Sequence, residues 1–286
     1  MKMSTFFVVP NLEKTGTAEC TPDACAVLLQ HGSTLYMAKA MQEVLPIAGV
    51  KYVAAETALA KCDAIICIGG DGTVVHQAKH ALQHDKPLIG INTGRLGYLA
   101  QIEPDELDML EKLCTGEFSI QKRLVLDVCI CSQYGKKHYI AVNDAVVSNG
   151  TVSKILDLDV YTGEELVTSY RADGIIVSTP TGSTAYALSA GGPIIDPTIR
   201  TLQLTPISPH SLFSRPILFS QNDALTIRPI SRGGDMYVTI DGERSVQLQN
   251  ADAVVVKAAK KKLQFIMLSD REFFKVLKTK FIGRWR

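Results

Sequence analysis

No segment of this 286-residue chain is apolar for long enough to span a bilayer. The opening stretch, Met1 to Pro10, is apolar but stops at the proline. It lacks a full signal-peptide hydrophobic region and a small-residue cleavage site, so Phe6 to Val9 reads as a first buried strand. Charge of one sign is also missing: 30 Lys and Arg against 29 Asp and Glu leave a formal net charge of +1. That excludes the one-signed field expected of a nucleic-acid or anionic-membrane binder. The basic run from Lys257 to Lys262 is short and reads as a solvated strand end or turn. The seven cysteines are odd in number and scattered. Neither Cys62-x4-Cys67 nor Cys129-x-Cys131 has zinc-ribbon or thioredoxin spacing. They read as buried small hydrophobes in a reducing cytosol, so the expectation is a cytoplasmic protein. No internal repeat and no low-complexity tract is present. What remains, 46% hydrophobic and 21% charged residues, is an ordinary globular composition with material for two moderate domains or one large one.

The first hundred residues alternate between strand and helix patterns. Thr21 followed by Pro22 reads as a helix start, a hydroxyl cap before a proline in the first turn. That helix runs to about Gln30, with Gly32 just past its end. Ala64 to Ile68 is a continuous apolar run, as in a strand covered on both faces. Val74 to Leu82 reads as a helix, Pro87 to Ile91 as a second buried strand, and Asp105 to Leu113 as an amphipathic helix. This rhythm predicts an α/β domain on a parallel, doubly wound sheet. Past Ser119 the pattern changes to short β-rich runs: Leu124 to Cys131, His138 to Val147, Ile155 to Tyr161, Glu165 to Tyr170, Ala224 to Ile230, Met236 to Ile240 and Ala253 to Val256. These predict a mainly β second domain. The expected boundaries are 1–118, 119–265, and a last helical segment, 266–286, packing back on the first domain.

Gly69-Gly70-Asp71-Gly72-Thr73 directly follows the buried run Ala64 to Ile68 and opens a helix. Ligands of doubly wound sheets bind outside the carboxyl ends of the strands. Glycines admit a phosphate close to the backbone, and the helix start offers unpaired N–H groups and a positive dipole end. A polyphosphate is the expected guest. Asp71 is out of place in a phosphate cradle unless it works, either by holding a divalent ion that bridges phosphates or by accepting a proton from an attacking hydroxyl. The plain alternative is a tight turn with an aspartate capping the helix. The loop is not a P-loop, and Val75 stands where a dinucleotide fingerprint needs its third glycine. A second loop, Asn92-Thr93-Gly94-Arg95-Leu96-Gly97-Tyr98-Leu99, follows the next buried strand, with Arg95 available to neutralise phosphate.

Further along stand Asn143-Asp144, the unbroken run from Asp173 to Pro193, the run from Ser208 to Ile217, and Asp241-Gly242. Taken in order with the two glycine loops, these elements resemble those of the NAD kinase family across most of the chain. The resemblance implies transfer of the terminal phosphate of ATP, or of another phosphoryl donor, to the 2′-hydroxyl of the adenosine ribose of NAD, giving NADP. It implies Asp71 as the base that activates that hydroxyl, with metal ligation left open as its other role. It implies a divalent ion, usually Mg²⁺, to offset phosphoryl charge; no metal ligand is assigned. Gly69, Gly70, Gly72, Thr73, Asn92 and Arg95 become the ATP-phosphate loops.

The same resemblance makes the second domain the NAD-binding one. It places Asp71, Gly72, Asn143 and Asp144 on NAD, the pair answering either the adenine edge or the ribose hydroxyls. Thr184, Ala185, Tyr186, Ala187, Leu188 and Ser189 line the NAD site, with the tyrosine near adenine. Asp173 stands on the nicotinamide side, and Arg171 matches a basic NAD contact. His76, Lys154 and Glu243 occupy positions where some relatives carry arginine or lysine, arginine, and glutamine; lysine keeps the charge but loses the bidentate fork. His76, His80 and His84 are spaced by four and share one helix face, which reads as a partly solvated face. The family also implies a homodimer or homotetramer. Two other readings compete: a lipid or sugar kinase sharing the first glycine loop, and a non-catalytic NADP sensor.

Overall fold

The computed structural model describes residues 2–94, 97–150, 155–211, 214–268 and 273–282. The chain opens with β1 (Thr5–Pro10), α1 (Thr17–Gln30), β2 (Thr34–Ala38), α2 (Met41–Val44), β3 (Val50–Val53), α3 (Ala55–Lys61), β4 (Ala64–Gly69), α4 (Asp71–Gln83) and β5 (Leu88–Asn92). A 3-10 turn at Leu107–Leu110, α5 (Glu111–Thr115) and β6 (Ser119–Arg123) follow. Twelve antiparallel strands come next: β7 (Leu126–Ser132), β8 (Gly135–Ala141), β9 (Asp144–Asn149), β10 (Leu156–Thr162), β11 (Glu165–Ala172), β12 (Gly174–Ser178), β13 (Thr201–Ile207), β14 (Ile217–Ser220), β15 (Ala224–Ser231), β16 (Met236–Ile240), β17 (Arg244–Leu248) and β18 (Ala253–Ala258). A second 3-10 turn (Thr181–Thr184) and α6 (Tyr186–Ser189) lie between β12 and β13. The described chain ends with β19 (Leu263–Met267) and α7 (Phe273–Ile282).

Two compact units result, Met1–Lys122 with Leu263–Arg286, and Arg123–Lys262. The first unit is built on a seven-stranded sheet in the order β3-β2-β1-β4-β5-β19-β6, parallel from β3 through β19. Every residue of β4 and β5 is buried, as strands covered on both faces require. Phe6, Val8, Ile66, Ile68, Ile89 and Ile91 share one core with Cys20, Ala24 and Leu28 of α1. The alternate residues Phe7, Ile65, Cys67 and Leu88 are equally buried and point to the other face, where α3 and α4 pack.

The second unit is a sandwich of two six-stranded sheets, β11-β10-β15-β18-β7-β8 and β14-β13-β12-β9-β16-β17. Leu126, Val128, Ile130, Leu158 and Val160 of the first sheet meet Ala145, Val147, Ile175, Val177, Leu204 and Val238 of the second in one core. The opposite face of the second sheet carries Asp144, Val146 and Ser148. α6 covers part of it, with Ala187 packed on Val146 and Ile176.

The architecture agrees with the predicted α/β domain and mainly β domain; local assignments differ at four places. α1 begins at Thr17, a turn before the expected cap, and Pro22 lies inside it. Burial of Thr17, Cys20 and Thr21 extends the helix, and the Thr21 hydroxyl donates back to the Thr17 carbonyl at 2.6 Å rather than capping. α4 begins at Asp71, so the first glycine loop already contains the first helical turn. The expected helix from Asp105 to Leu113 is a 3-10 turn passing into a short α-helix. The run from His138 to Val147 is two strands, because the chain changes sheets at Val142 and Asn143. The opening of the predicted last helix, Asp270 to Glu272, lies outside the described residues.

Candidate active site

In the first unit, β4 and β5 deliver the two glycine loops side by side, and the Thr93 N–H donates to the Gly69 carbonyl at 3.3 Å. Gly70 precedes the thirteen-residue α4. The N–H groups of Asp71 and Gly72 lie ahead of the first intrahelical hydrogen bond, at the positive end of the helix dipole. Gly72 is exposed, and the buried Thr73 hydroxyl accepts a hydrogen bond from Asn11 Nδ2 at 3.0 Å. This is an anion-receiving helix start.

The Asp71 side chain turns to the second loop. Its Oδ2 accepts the Tyr98 N–H at 2.8 Å, and its Oδ1 accepts those of Leu99 and Ala100 at 3.0 and 3.4 Å. A Cβ at Gly97 would collide with this carboxylate, so that glycine is what lets the two loops close on each other. Asn92 is fully buried, its amide donating to Glu103 at 3.0 Å and to the Gly94 carbonyl at 3.3 Å. It shapes the loop from within. Arg95 lies outside the described residues. His76 is exposed, its ring 6.0 Å from that of His80.

In the second unit, a cavity of about 400 Å³ opens on the outer face of the second sheet. Asn143, Asp144, Val146, Ser148, Ala185, Tyr186, Thr239, Asp241 and Gly242 line it. Its polar floor is Asp144, Ser148 and Thr239; Asp144 also lies opposite Ser178, which lies opposite Gln203, a polar row that continues across the sheet beyond the cavity lining. Asp241 follows β16 in a left-handed conformation, φ 51°. Its carboxylate accepts the N–H groups of Val142, Asn143 and Asp144 at 2.8 to 3.2 Å. That fixes the point where the chain changes sheets and aims the Asn143-Asp144 pair. From the other side, the Thr179 hydroxyl donates to the Val142 carbonyl at 2.8 Å. A Cβ at Gly182 would collide with the Asn143 carbonyl, so the 3-10 turn rests directly on the pair.

Asp144 is 4% exposed, and burial, aided by the negative charge of Asp241, pushes its carboxyl up to about 7. The site therefore holds a carboxyl that can carry or release a proton near neutral pH beside the exposed Tyr186 ring. A polar floor, an amide, a carboxyl and an aromatic face suit a ligand with a flat heterocycle and hydroxyls.

The structure brings four of the expected NAD residues around this cavity: Asn143, Asp144, Ala185 and Tyr186. Thr184, Leu188 and Ser189 lie on the same turn and helix without lining it, and Ala187 is spent in the core. Arg171 is exposed on β11, 3.9 Å from Asp157. Asp173 joins β11 to β12 with its N–H and carbonyl bonded to Ile207 and Asn149. Glu243 is exposed in the β16–β17 turn, and Lys154 lies outside the described residues. Sequence reasoning did not assign Val146, Ser148, Thr239, Asp241 and Gly242 to the site. Asp241-Gly242 was visible as a motif; that its carboxylate caps a remote chain crossing was not. Among the described residues no three His, Cys, Asp or Glu side chains are arranged to hold a metal ion.

Comparison with known proteins fits this arrangement. Residues 6–118 match the family model described as the ATP-NAD kinase N-terminal domain, and residues 142–268 that of the ATP-NAD kinase C-terminal domain. The chain is 34% identical over 281 residues to an NAD kinase of Caldanaerobacter subterraneus subsp. tengcongensis, spanning 97% of this chain and 98% of that protein. It is 40% identical over 224 residues to an NAD kinase of Heliobacterium modesticaldum, 78% of this chain and 79% of that one. In fold it resembles a yeast NADH kinase complexed with NADH, with TM-score 0.85, 21% identity, and coverage of 99% and 88% of the two chains. It also resembles an NAD kinase from Archaeoglobus fulgidus in complex with ATP, with TM-score 0.72, 22% identity, and coverage of 98% and 99%. With both domain models matched in order, the chain belongs to the ATP-NAD kinase family.

Proposed function

We infer that this chain phosphorylates NAD to NADP, with ATP as the phosphoryl donor and the 2′-hydroxyl of the adenosine ribose as the acceptor. Membership carried by both domains is the observation on which the reading rests. The helix start at Asp71 and Gly72 receives the ATP phosphates. The cavity around Asn143, Asp144 and Tyr186 receives the dinucleotide. A divalent ion, when bound, offsets the charge on the phosphoryl oxygens; it fits as a passenger of the triphosphate, since the described residues offer it no protein cage.

Asp71 is the general base in this reading. The ribose hydroxyl gives its proton to the carboxylate, its oxygen bonds to the terminal phosphorus, and the bond to the bridging oxygen breaks to release ADP. A second reading is favoured by one observation: the carboxylate already accepts three backbone N–H groups and braces the second loop. The two roles separate experimentally. NADP formation is followed by coupling to an NADP-specific dehydrogenase. If Asp71 is the base, Asp71→Asn lowers kcat/KM about 10²- to 10⁴-fold and abolishes the acidic limb of its pH profile, whatever the midpoint loses with the hydrogen bonds of one carboxylate oxygen. A drop in midpoint with kcat within tenfold of the parent and the acidic limb intact rejects the base. Absence of NADP formation by the parent protein with any triphosphate rejects the function.

The reading extends to a cytoplasmic homo-oligomer. The seven cysteines are all free thiols, and the edge strand β11 exposes Leu166 and Val167. No helix among the described residues is long and apolar enough to cross a membrane.

A further inference from the structure

The Cys129-x-Cys131 pair has no part in phosphoryl transfer. Strand alternation sends Leu126, Val128 and Ile130 into the sandwich core and therefore turns Asp127, Cys129 and Cys131 to the outer face of β7. The two sulfurs lie 3.7 Å apart. On the neighbouring edge strand β8, His138 stands opposite Cys129 and Lys136 opposite Cys131. His138 Nδ1 is 2.8 Å from the Asp127 carboxylate, which also has Lys257 Nζ at 3.7 Å. On the side away from β8 the pair is flanked by Ala253 and Val255 of β18.

We propose that Cys129 and Cys131 form a two-thiolate binding site for a thiophilic divalent ion of the zinc and cadmium class. The sulfur separation is the argument. A tetrahedral ion with bonds of about 2.3 Å to sulfur holds two sulfurs about 3.8 Å apart, so the pair accepts such an ion without backbone movement. A disulfide fits poorly: alternate Cα atoms of a strand lie about 6.8 Å apart, at the upper limit of disulfide geometry. Binding displaces two thiol protons to solvent and two waters from the hydrated ion as two metal–sulfur bonds form, with no change of oxidation state. Among the described residues no third ligand of the His, Cys, Asp or Glu type converges on the sulfurs, so water completes the coordination. Burial and the neighbouring Cys131 hold the Cys129 proton more tightly than usual, Lys136 offsetting only part of this, so the ion has to displace it. The partly exposed Cys131 gives the ion its way in.

Cadmium ion alone, added to the reduced full-length protein, tests the site through the ultraviolet thiolate-to-cadmium charge-transfer band. Cys114 is the other partly exposed thiol, so Cys114→Ser serves as background. One equivalent per chain is expected for the parent and for Cys114→Ser, with displacement by excess zinc. Cys129→Ser and Cys131→Ser each bind at least tenfold more weakly, and the double variant shows no band. Cadmium raises the thermal midpoint only where both thiols are present, and NADP formation without cadmium is the same in all variants. A missing band in the parent overturns the proposal. So does a band that persists in the double variant, or one unaffected by either single change.

Discussion

Two aspartates spend their oxygens on backbone N–H groups of remote segments: Asp71 on Tyr98 to Ala100, and Asp241 on Val142 to Asp144. A third, Asp144, is buried beside Asp241 and holds its proton far more tightly than an exposed aspartate. The consequence for stability has a definite sign. Asp144 titrates near pH 4 when unfolded and at about 7 when folded. Between those values the folded chain carries the extra proton, so the stability this provides is intact below about pH 4 and lost as pH rises to 7. Asp144→Asn cannot titrate and escapes that loss. Its thermal midpoint relative to the parent is expected to rise between pH 5 and pH 8; a difference that stays flat over that range rejects the buried proton.

At the scale of elements, the two glycine loops act as one piece. Gly97 leaves room for the Asp71 carboxylate, and that carboxylate holds the backbone of the residues that follow. Gly97→Ala forces the carboxylate off the Leu99 and Ala100 N–H groups. The expected cost is about 1–3 kcal/mol of stability and at least a tenfold loss of NADP formation, with the circular dichroism of the parent retained; full turnover in this variant would dismiss the clasp. The loops themselves were legible in the sequence because both follow strands whose unbroken apolar runs announce burial on two faces. The clasp was not, since it joins residues 27 positions apart through backbone N–H groups that carry no side-chain signature. Thr21-Pro22 misled for a related reason. Its pattern is a sound local cap signal, but Thr17 and Cys20 are buried, Thr17 with its hydroxyl 2.7 Å from that of Thr93, and they draw the helix one turn further. The run from His138 to Val147 likewise shows β character throughout, and nothing in it marks the crossing that Asp241 pins from a hundred residues away.

At the scale of the molecule, the order of strands in the first sheet differs from their order in the chain. β19 lies between β5 and β6 and brings Phe265 and Ile266, both fully buried, into the first unit. Alternating strand and helix patterns made the early strands readable. Five residues at Leu263–Met267 following a β-rich stretch gave no sign that they belong to the first sheet. A chain ended after Lys262 is expected to lose the cooperative unfolding transition of the first unit and to aggregate; size-exclusion chromatography showing a monomer with that transition preserved would contradict this. The arrangement also sets a timetable for synthesis. The ribosome delivers β5 some 170 residues before its neighbour, so the nascent protein must emerge through its whole middle with one sheet margin unzipped. Completion of the first unit thereby waits until residues 263–267 have been made, and a chain cut short in any of the middle strands reaches the cell as a client for chaperones rather than as a half-active enzyme.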